Sequence, residues 1–506
     1  MIIRKMVEER KESIAKRLSN SSAADQGGPM LAPSNIHYEM SEKTRGMLYG
    51  GIGAIHQLVE KIGLVEAIDR RLHLLKIHKP YHESDHVLNF AYNVLCRGTC
   101  LEDIELRRND EVFLDALGTE RIPDPTTAGD FCRRFSVAHI RTLMDVFDEV
   151  RLKVWARQPK KFFKEAIVDM DGTLVGTTGE CKEGMDISYK GVWGYHPLLI
   201  SLANTGEVLR IVNRPGNRPS HEGASADADE VIKVCRKAGF EKIFLRGDTD
   251  FTQTKKLDEW DSDSSIRFIF GVDVTPNLHI LADDLDPSAW KRLHRPARYQ
   301  VQTQRRKRPK NVKQRIVRER EFRNIRLESE LIAEFEYSPT ACKKSYRMIV
   351  IRKNLAIEQG QTHLLDDYRY FFYITNDRDA TAEEIVFSAN DRCHQENLIE
   401  QLKNGVRSLT APVDNLESNW AYMVMTSLAW NLKAWYALWL PEGGRWAEKH
   451  HADKERVLRM EFKRFVNFFV MIPCQIVKTG RRLVYRLLGW NAELPVLRRL
   501  LLTLQQ

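Results

Sequence analysis

Between residues 50 and 155 apolar positions recur with the period of a helix. Ile55, Leu58, Val59, Ile62 and Leu64 form one stripe, and Leu88, Phe90, Ala91 and Val94 form another. Asp124-Pro125-Thr126-Thr127 supplies a capping carboxylate and a proline at a helix start, with Phe131, Phe135 and Ile140 behind it. The texture changes at Phe162. Residues 166–171, Ala-Ile-Val-Asp-Met-Asp, make a short apolar strand that carries acids. Residues 192–202 and 208–213 read as two more strands joined by the turn Asn204-Thr205-Gly206. A helix is expected over 224–238, and a fourth strand over 242–246 that runs into Gly247-Asp248. Three strands, a helix and a strand ending in an acid are the order of an RNase H-like core. A fold analogy of that kind does not fix a function.

Beyond a short helical stretch near Trp260, strands are expected over 267–270, 347–351 and 370–374. Between the first two lies a basic tract, Arg305-Arg306-Lys307-Arg308-Pro309-Lys310, continued by Lys313, Arg315, Arg318 and Arg320. Helices resume at Ala382. The apolar stretch 420–440 is interrupted by Asn431 and Lys433 and places Trp430, Trp435 and Trp439 at helical spacing, which suits a buried helix rather than a membrane span. The expected fold is α/β and multidomain: an RNase H-like core interrupted by a β-rich insertion, flanked by helical N- and C-terminal regions. Its parts are a flexible arm (1–36), a helical domain (37–158), the first part of the core (159–270), the insertion (271–376), the second part of the core (377–445) and a helical C-terminal region (446–506).

At 506 residues the chain exceeds one compact core, in keeping with several domains. Its formal charge of +9 favours a polyanionic partner. The eight cysteines are scattered, without paired CxxC or HxxxH spacing, which argues against structural zinc and for a reducing compartment. The first twenty residues lack an apolar signal core, so a soluble, cytoplasmic protein without a membrane partner is expected.

Acids stand where metal-assisted phosphodiester chemistry needs them. That chemistry uses carboxylates converging on two ions roughly 3.5–4 Å apart. Asp169 and Asp171 alternate onto one face of the first strand, and Asp248 follows the end of the fourth. Glu396 sits on an expected helix between Arg392 and Lys403, at spacings of four and seven residues that put all three on one face. Such cations suit a phosphate, arginine through its planar fork and lysine as a point charge. The plain alternative for this helix is a solvated face with ordinary ion pairs.

The segments Val168-Asp169-Met170-Asp171-Gly172-Thr173, Gly194-Tyr195-His196-Pro197-Leu198, Arg214-Pro215-Gly216-Asn217 and Arg246-Gly247-Asp248-Thr249-Asp250-Phe251 resemble the DDE transposases of bacterial insertion sequences. They are most similar to the group with a β-rich insertion between the second aspartate and the glutamate. That group's Tyr-x2-Arg-x3-Glu-x6-Lys signature is matched at Arg392, Glu396 and Lys403 and departs at the tyrosine, which is Ala389. The resemblance covers most of the chain after the first forty residues. It implies Asp171, Asp248 and Glu396 as catalytic, metal-binding acids, with Asp171 chosen over Asp169 by the Asp-Gly-Thr pattern and Asp169 left as an auxiliary or a solvent-facing acid. It also implies two Mg2+ or Mn2+ ions, terminal inverted repeats and target DNA as partners, a homodimer on DNA, and cut-and-paste transposition through a hairpin. The setting would be the bacterial cytoplasm, with nucleoid association on DNA, and the helical domain 37–158 would bind DNA. The rivals are an inactive transposase-derived DNA-binding protein and a hydrolytic nuclease of the same fold.

Other residues carry weaker expectations. Arg305, Arg306, Lys307 and Arg308 offer a DNA groove or a solvated hairpin tip. Trp290 offers a stacking surface for an unpaired base or an ordinary core contact. Residues 126–135, with Arg133 and Arg134, are the candidate recognition helix. Asp250 suits a helix N-cap, and His196, before Pro197, suits a structural role.

Overall fold

The computed structural model describes residues 2–19, 36–39, 44–252, 254–295, 315, 326–358, 361–362, 368–480 and 482–505. A mixed sheet lies at its centre. Five strands make one half: β1 (Glu165–Gly172), β2 (Leu198–Leu202), β3 (Glu207–Val212), β4 (Lys242–Gly247) and β5 (Ile266–Val272). They lie in the order β3-β2-β1-β4-β5; β1, β2 and β3 are antiparallel neighbours, while β4 runs parallel to β1 and β5 parallel to β4. The helix Ala224–Ala238 carries the chain from β3 across to β4.

The strand expected over 192–202 divides in two. Trp193–Tyr195 pairs with Val175–Gly176 and Asp186–Ile187 in a separate small sheet, and only Leu198–Leu202 enters the main one. The break falls at His196-Pro197, since proline has no N–H to give a ladder.

The strands expected as an insertion form no sheet of their own. β6 (Arg326–Tyr337), β7 (Tyr346–Glu358) and β8 (Tyr368–Thr375) extend the same sheet, with β8 on β5 through Phe372↔Val272 to Thr375↔Ile269. Lys291–Arg292 closes that edge beside β6. The expectations contain no counterpart of β6. Glu328, Glu330, Glu334 and Glu336 lower its strand propensity, and pairing with β7 overrides them. This segment also contains a helix, Pro276–Asp283.

Two flanking regions differ from expectation. The C-terminal region is not purely helical: Cys474–Thr479 and Arg482–Leu487 form a hairpin, with Gly46–Met47 paired on its edge. Gly480, at φ +55°, allows the turn, and the basic residues around it obscure the strand pattern in sequence. Within the arm expected over 1–36, Ile2–Ser19 is a helix.

The core is built around the 23-residue helix Leu416–Leu438, buried at every position from Ser418 onward. It packs on the helices Glu83–Leu95 and Val137–Trp155 and on β3. Trp430, Trp435 and Trp439 are all buried, as their spacing predicts. Among the described residues no helix is long and apolar enough to cross a membrane.

Polar side chains join these layers. Asn431 completes the ladder of β3, its Oδ1 accepting from the Val208 N–H at 2.9 Å and its Nδ2 donating to the Val208 carbonyl at 3.0 Å. Next to it the fully buried carboxylate of Glu207 accepts from Arg151 Nε (3.1 Å), Trp155 Nε1 (2.8 Å), Trp435 Nε1 (2.7 Å) and Thr205 Oγ1 (2.7 Å). One anion therefore ties the N-terminal helices, the sheet and the central helix together. Glu207→Ala leaves the Arg151 Nε and two indole N–H groups without their acceptor, while Arg151 keeps Asp148 and the Val208 carbonyl. Urea unfolding is expected to show a loss of about 3–5 kcal/mol.

Lys433, on the same helix, is buried with its ammonium donating to the Leu458 carbonyl at 2.7 Å and lying 3.9 Å from the Trp430 ring centre. Burial pulls its pKa down to about 7. The unfolded chain holds this proton up to about pH 10.4, so stability rises with pH between about 7 and 10.4, and the full penalty, on the order of 4 kcal/mol, applies below 7. Lys433→Met is expected to flatten that slope and to stabilise the fold at pH 6, as read by unfolding curves across pH.

Candidate active site

β1 and β4 lie side by side and parallel, with Cα partners Asp169↔Arg246 and Met170↔Gly247. Asp171 and Asp248 each stand two residues beyond the first of these pairs, so both acids emerge at the same end of the sheet. Space beyond Asp171 is tight. A Cβ on Gly172 would lie 2.8 Å from His196 Nε2 and 2.7 Å from Ser220 Oγ, so only glycine lets the strand end close here. His196 holds its place through Nδ1, 2.7 Å from the Arg218 carbonyl, in the structural role expected. Arg214, in the Arg-Pro-Gly-Asn segment, is buried and spends its guanidinium on the carbonyls of His196, Ser220 and Glu222. It braces the loop, with its Nη2 buried and without a partner.

Asp248 caps the single turn Thr249–Phe251, accepting from the Asp250 N–H at 3.2 Å. The cap is thus Asp248 and not Asp250, because the turn starts directly at the strand end.

Asp169 does not join the site. It forms a buried bidentate pair with Arg246, Nε to Oδ1 at 2.7 Å and Nη2 to Oδ2 at 2.8 Å. Arg246 also donates to the Ser388 carbonyl. The solvent-facing alternative for Asp169 is corrected: both its oxygens are occupied inside the fold.

The helix Cys393–Glu400 lies over this strand end. Gln395 anchors it, buried and hydrogen-bonded to Ser201 on β2 and to the Leu199 carbonyl. Arg392 Nη2 lies 3.8 Å from Asp171 Oδ2 and 3.3 Å from the Met170 carbonyl, while its Nε is buried without a partner. Glu396 is exposed on the helix. After Glu400 the coil widens into a π-helical turn, Gln401–Gly405, which carries Lys403. Lys403 is half-buried, and burial lowers its pKa against the charge of Asp171. Pattern reading assumes a uniform helix and does not foresee this turn, a local widening common at functional sites.

The electrostatics are those of acids gathered without enough counter-charge. Burial pushes Asp171 up to about 7; Arg392 opposes the shift, and the charges of Asp248 and Glu396 add to it. Asp248 is also raised, by burial first and then by Asp250 and Asp273, against the pull of Arg392. Among the described residues no three or more His, Cys, Asp or Glu side chains are already gathered to hold a metal. The donor set is nonetheless carboxylate oxygen alone, the chemistry of Mg2+ or Mn2+, which keep water and substrate oxygens as their remaining ligands.

The other expected site residues fall elsewhere. Arg305, Arg306, Lys307 and Arg308 lie outside the described residues. Trp290 is half-buried, with the Arg352 guanidinium 4.2 Å from its ring centre and Tyr370 packed beside it. Ala389 is buried in a small apolar cluster under the sheet. Arg133 spends its charge on Asp130 and Asp414, bracing the N-terminal helices against the segment before the central helix.

Separating the two neighbouring acids of β1 is a direct test of this geometry. Asp169→Asn breaks a buried ion pair and is expected to cost about 3–5 kcal/mol in metal-free urea unfolding. Asp171→Asn removes one of several repelling carboxylates and is expected to leave stability unchanged or raise it.

The family model described as transposase DDE domain group 1 matches residues 48–506. A search of curated proteins gives no match. Among solved structures, a cryo-EM structure of piggyBac transposase in a synaptic complex with hairpin DNA is similar at 11% identity, covering 84% of this chain and 83% of that one, with a TM-score of 0.33. A likeness that distant carries no argument about chemistry.

Proposed function

Because the chain belongs to the transposase DDE domain group 1 family, we propose that this transposase cleaves DNA at transposon ends and joins them to target DNA, using Asp171, Asp248 and Glu396 as its acid triad. DDE transposases generally use divalent metal ions. The observation that carries the assignment is the placement of Asp171 and Asp248 at one end of adjacent parallel strands, under a helix bearing Arg392 and Glu396. The strand order β3-β2-β1-β4-β5, with the crossover helix before β4, supports reading this half of the sheet as RNase H-like, with residues 271–376 inserted before its last helices.

Two Mg2+ or Mn2+ ions bound there would activate the attacking oxygen and neutralise charge on the leaving oxygen. The chain's own residues have separate tasks. Asp171, whose pKa burial raises against the charge of Arg392, would hold a metal ion as the carboxylate. Arg392, with its unpartnered Nε, grips the scissile phosphate, and Lys403 adds a point charge on the same side. Asp169 and Arg246 hold the acids in register as positioning residues. The Arg-x3-Glu-x6-Lys match supports cut-and-paste through a hairpin on the transposon end. Terminal repeats and target DNA are the proposed partners, a homodimer on DNA the proposed assembly, and the bacterial cytoplasm the proposed setting. The tract Arg305–Arg308 and the helical domain 37–158 are proposed to contact DNA.

The test is cleavage of a labelled duplex carrying the element's own ends, with Mg2+ and with EDTA. Wild type is expected to cut at the ends only with the metal. Alanine at Asp171, Asp248 or Glu396 is expected to lower cutting by roughly a thousandfold or more while DNA binding survives. Cutting without strand transfer would point to a nuclease. Binding without cutting, or normal cutting by the variants, would overturn the assignment.

A further inference from the structure

The helix Cys393–Glu400 and the π-helical turn after it rest on the fold through a buried stripe, Gln395, Leu398 and Leu402. Two of the three are leucine. The third is an amide, 1% exposed, and an amide withdrawn from water costs free energy unless its groups are paired. Both partners of Gln395 lie on β2. Its Oε1 accepts from the buried Ser201 hydroxyl, and its Nε2 donates to the Leu199 carbonyl at 3.3 Å.

The register of β2 on β1 gives these two partners their importance. Leu199 lies directly opposite Asp171, and Ser201 directly opposite Asp169. Side chains directly opposite one another in an antiparallel pair point to the same face. The helix therefore covers the face that carries both acids. On the other side of β1, Arg246 pairs with Asp169 and donates to the Ser388 carbonyl of the helix Ala382–Asn390. Ser201, Asp169 and Arg246 make one polar row across β2, β1 and β4, and both covering helices are fastened to it.

Glu396 follows Gln395 directly. Successive helical residues project about 100° apart. With Gln395 turned onto the sheet, Glu396 is carried to the flank of the helix, where it is exposed. One turn earlier, Arg392 meets the Met170 carbonyl and Asp171. Any rotation or lift of this helix would move Glu396 relative to Asp171 and Asp248. Apolar packing is non-directional and tolerates such movement, whereas hydrogen bonds to fixed points of one strand resist it.

We propose that Gln395 is a positioning residue that sets the reach of Glu396 toward the two aspartates, and with it the affinity of the acid site for a divalent ion. The inference rests on the acid triad proposed above. Mg2+ accepts little departure from octahedral geometry, so a ligand carried on a loosened helix binds it less well. Groups that orient a metal ligand without touching the metal commonly contribute about 10–100-fold to affinity or activity.

The test measures Mn2+ binding to the complex of the full chain with a duplex of the element's own end, by the electron paramagnetic resonance signal of free Mn2+. Gln395→Met keeps the bulk of the side chain and removes both hydrogen bonds; Ser201→Ala removes one. Gln395→Met is expected to weaken Mn2+ binding about tenfold or more, and Ser201→Ala about threefold. The double variant should bind no more weakly than Gln395→Met, since the two share one contact. In cleavage assays the Mg2+ concentration for half-maximal rate should rise by the same factor. Saturating Mg2+ should restore the wild-type rate, with DNA affinity unchanged. In a Glu396→Ala background the effect of Gln395→Met on Mn2+ binding should vanish. Wild-type Mn2+ affinity in both variants, with folding checked by thermal melting, would overturn the proposal. So would an undiminished Gln395→Met effect in the Glu396→Ala background, which would mean that Gln395 serves the fold alone. Unchanged Mn2+ binding in Glu396→Ala by itself would instead sink the acid triad on which the proposal stands.

Discussion

The ion pair between Arg246 and Asp169 sets the geometry on which the site depends. Both groups are withdrawn from water, and each satisfies the other through two parallel hydrogen bonds. Two strands pinned at that rung cannot slide. A slip of one residue would turn every side chain of a strand to the opposite face and bury or strand its acids. With the rung fixed, Asp171 and Asp248 leave the sheet together. The Ser388 carbonyl, also held by Arg246, attaches the helix Ala382–Asn390 to the same point. The position of three separate segments thus follows from one guanidinium.

Such precision is needed because the site works against the fold. Asp171 and Asp248 are both partly buried and repelled by acids around them, and Arg392 is the main cation offsetting both. The Asp169–Arg246 rung beside the acids holds this arrangement locally. The sheet is fastened further away as well, through Glu207 with its four donors and through Asn431 on the backbone of β3.

Much of this was legible in the chain itself. Apolar runs ending in an acid identify β1 and β4, and helical spacing groups Arg392, Glu396 and Lys403, because strand and helix periodicities are local properties. What stayed hidden depends on partners far apart in sequence. Arg246 reads as one more basic residue until register sets it against Asp169, 77 positions away. Gln395 draws no notice because its partners, Leu199 and Ser201, lie on a strand almost 200 positions earlier. β6, rich in glutamate, becomes a strand only because β7 pairs with it, and the C-terminal hairpin is masked by its basic residues. The π-helical turn is set by contacts such as that between Gln401 Oε1 and the Phe462 N–H, which periodicity does not encode.

The continuity of the main sheet has one more consequence. β5 is flanked by β4 on one side and β8 on the other, so it is an interior strand. Its run Ile266, Phe268, Ile269 and Phe270 is buried, and without β8 its backbone N–H and carbonyl groups would line an open sheet edge. An apolar edge of that kind recruits other chains and seeds aggregation. The strands between Asp248 and Glu396 therefore also act as a cover that keeps the five-stranded half of the sheet from associating with itself.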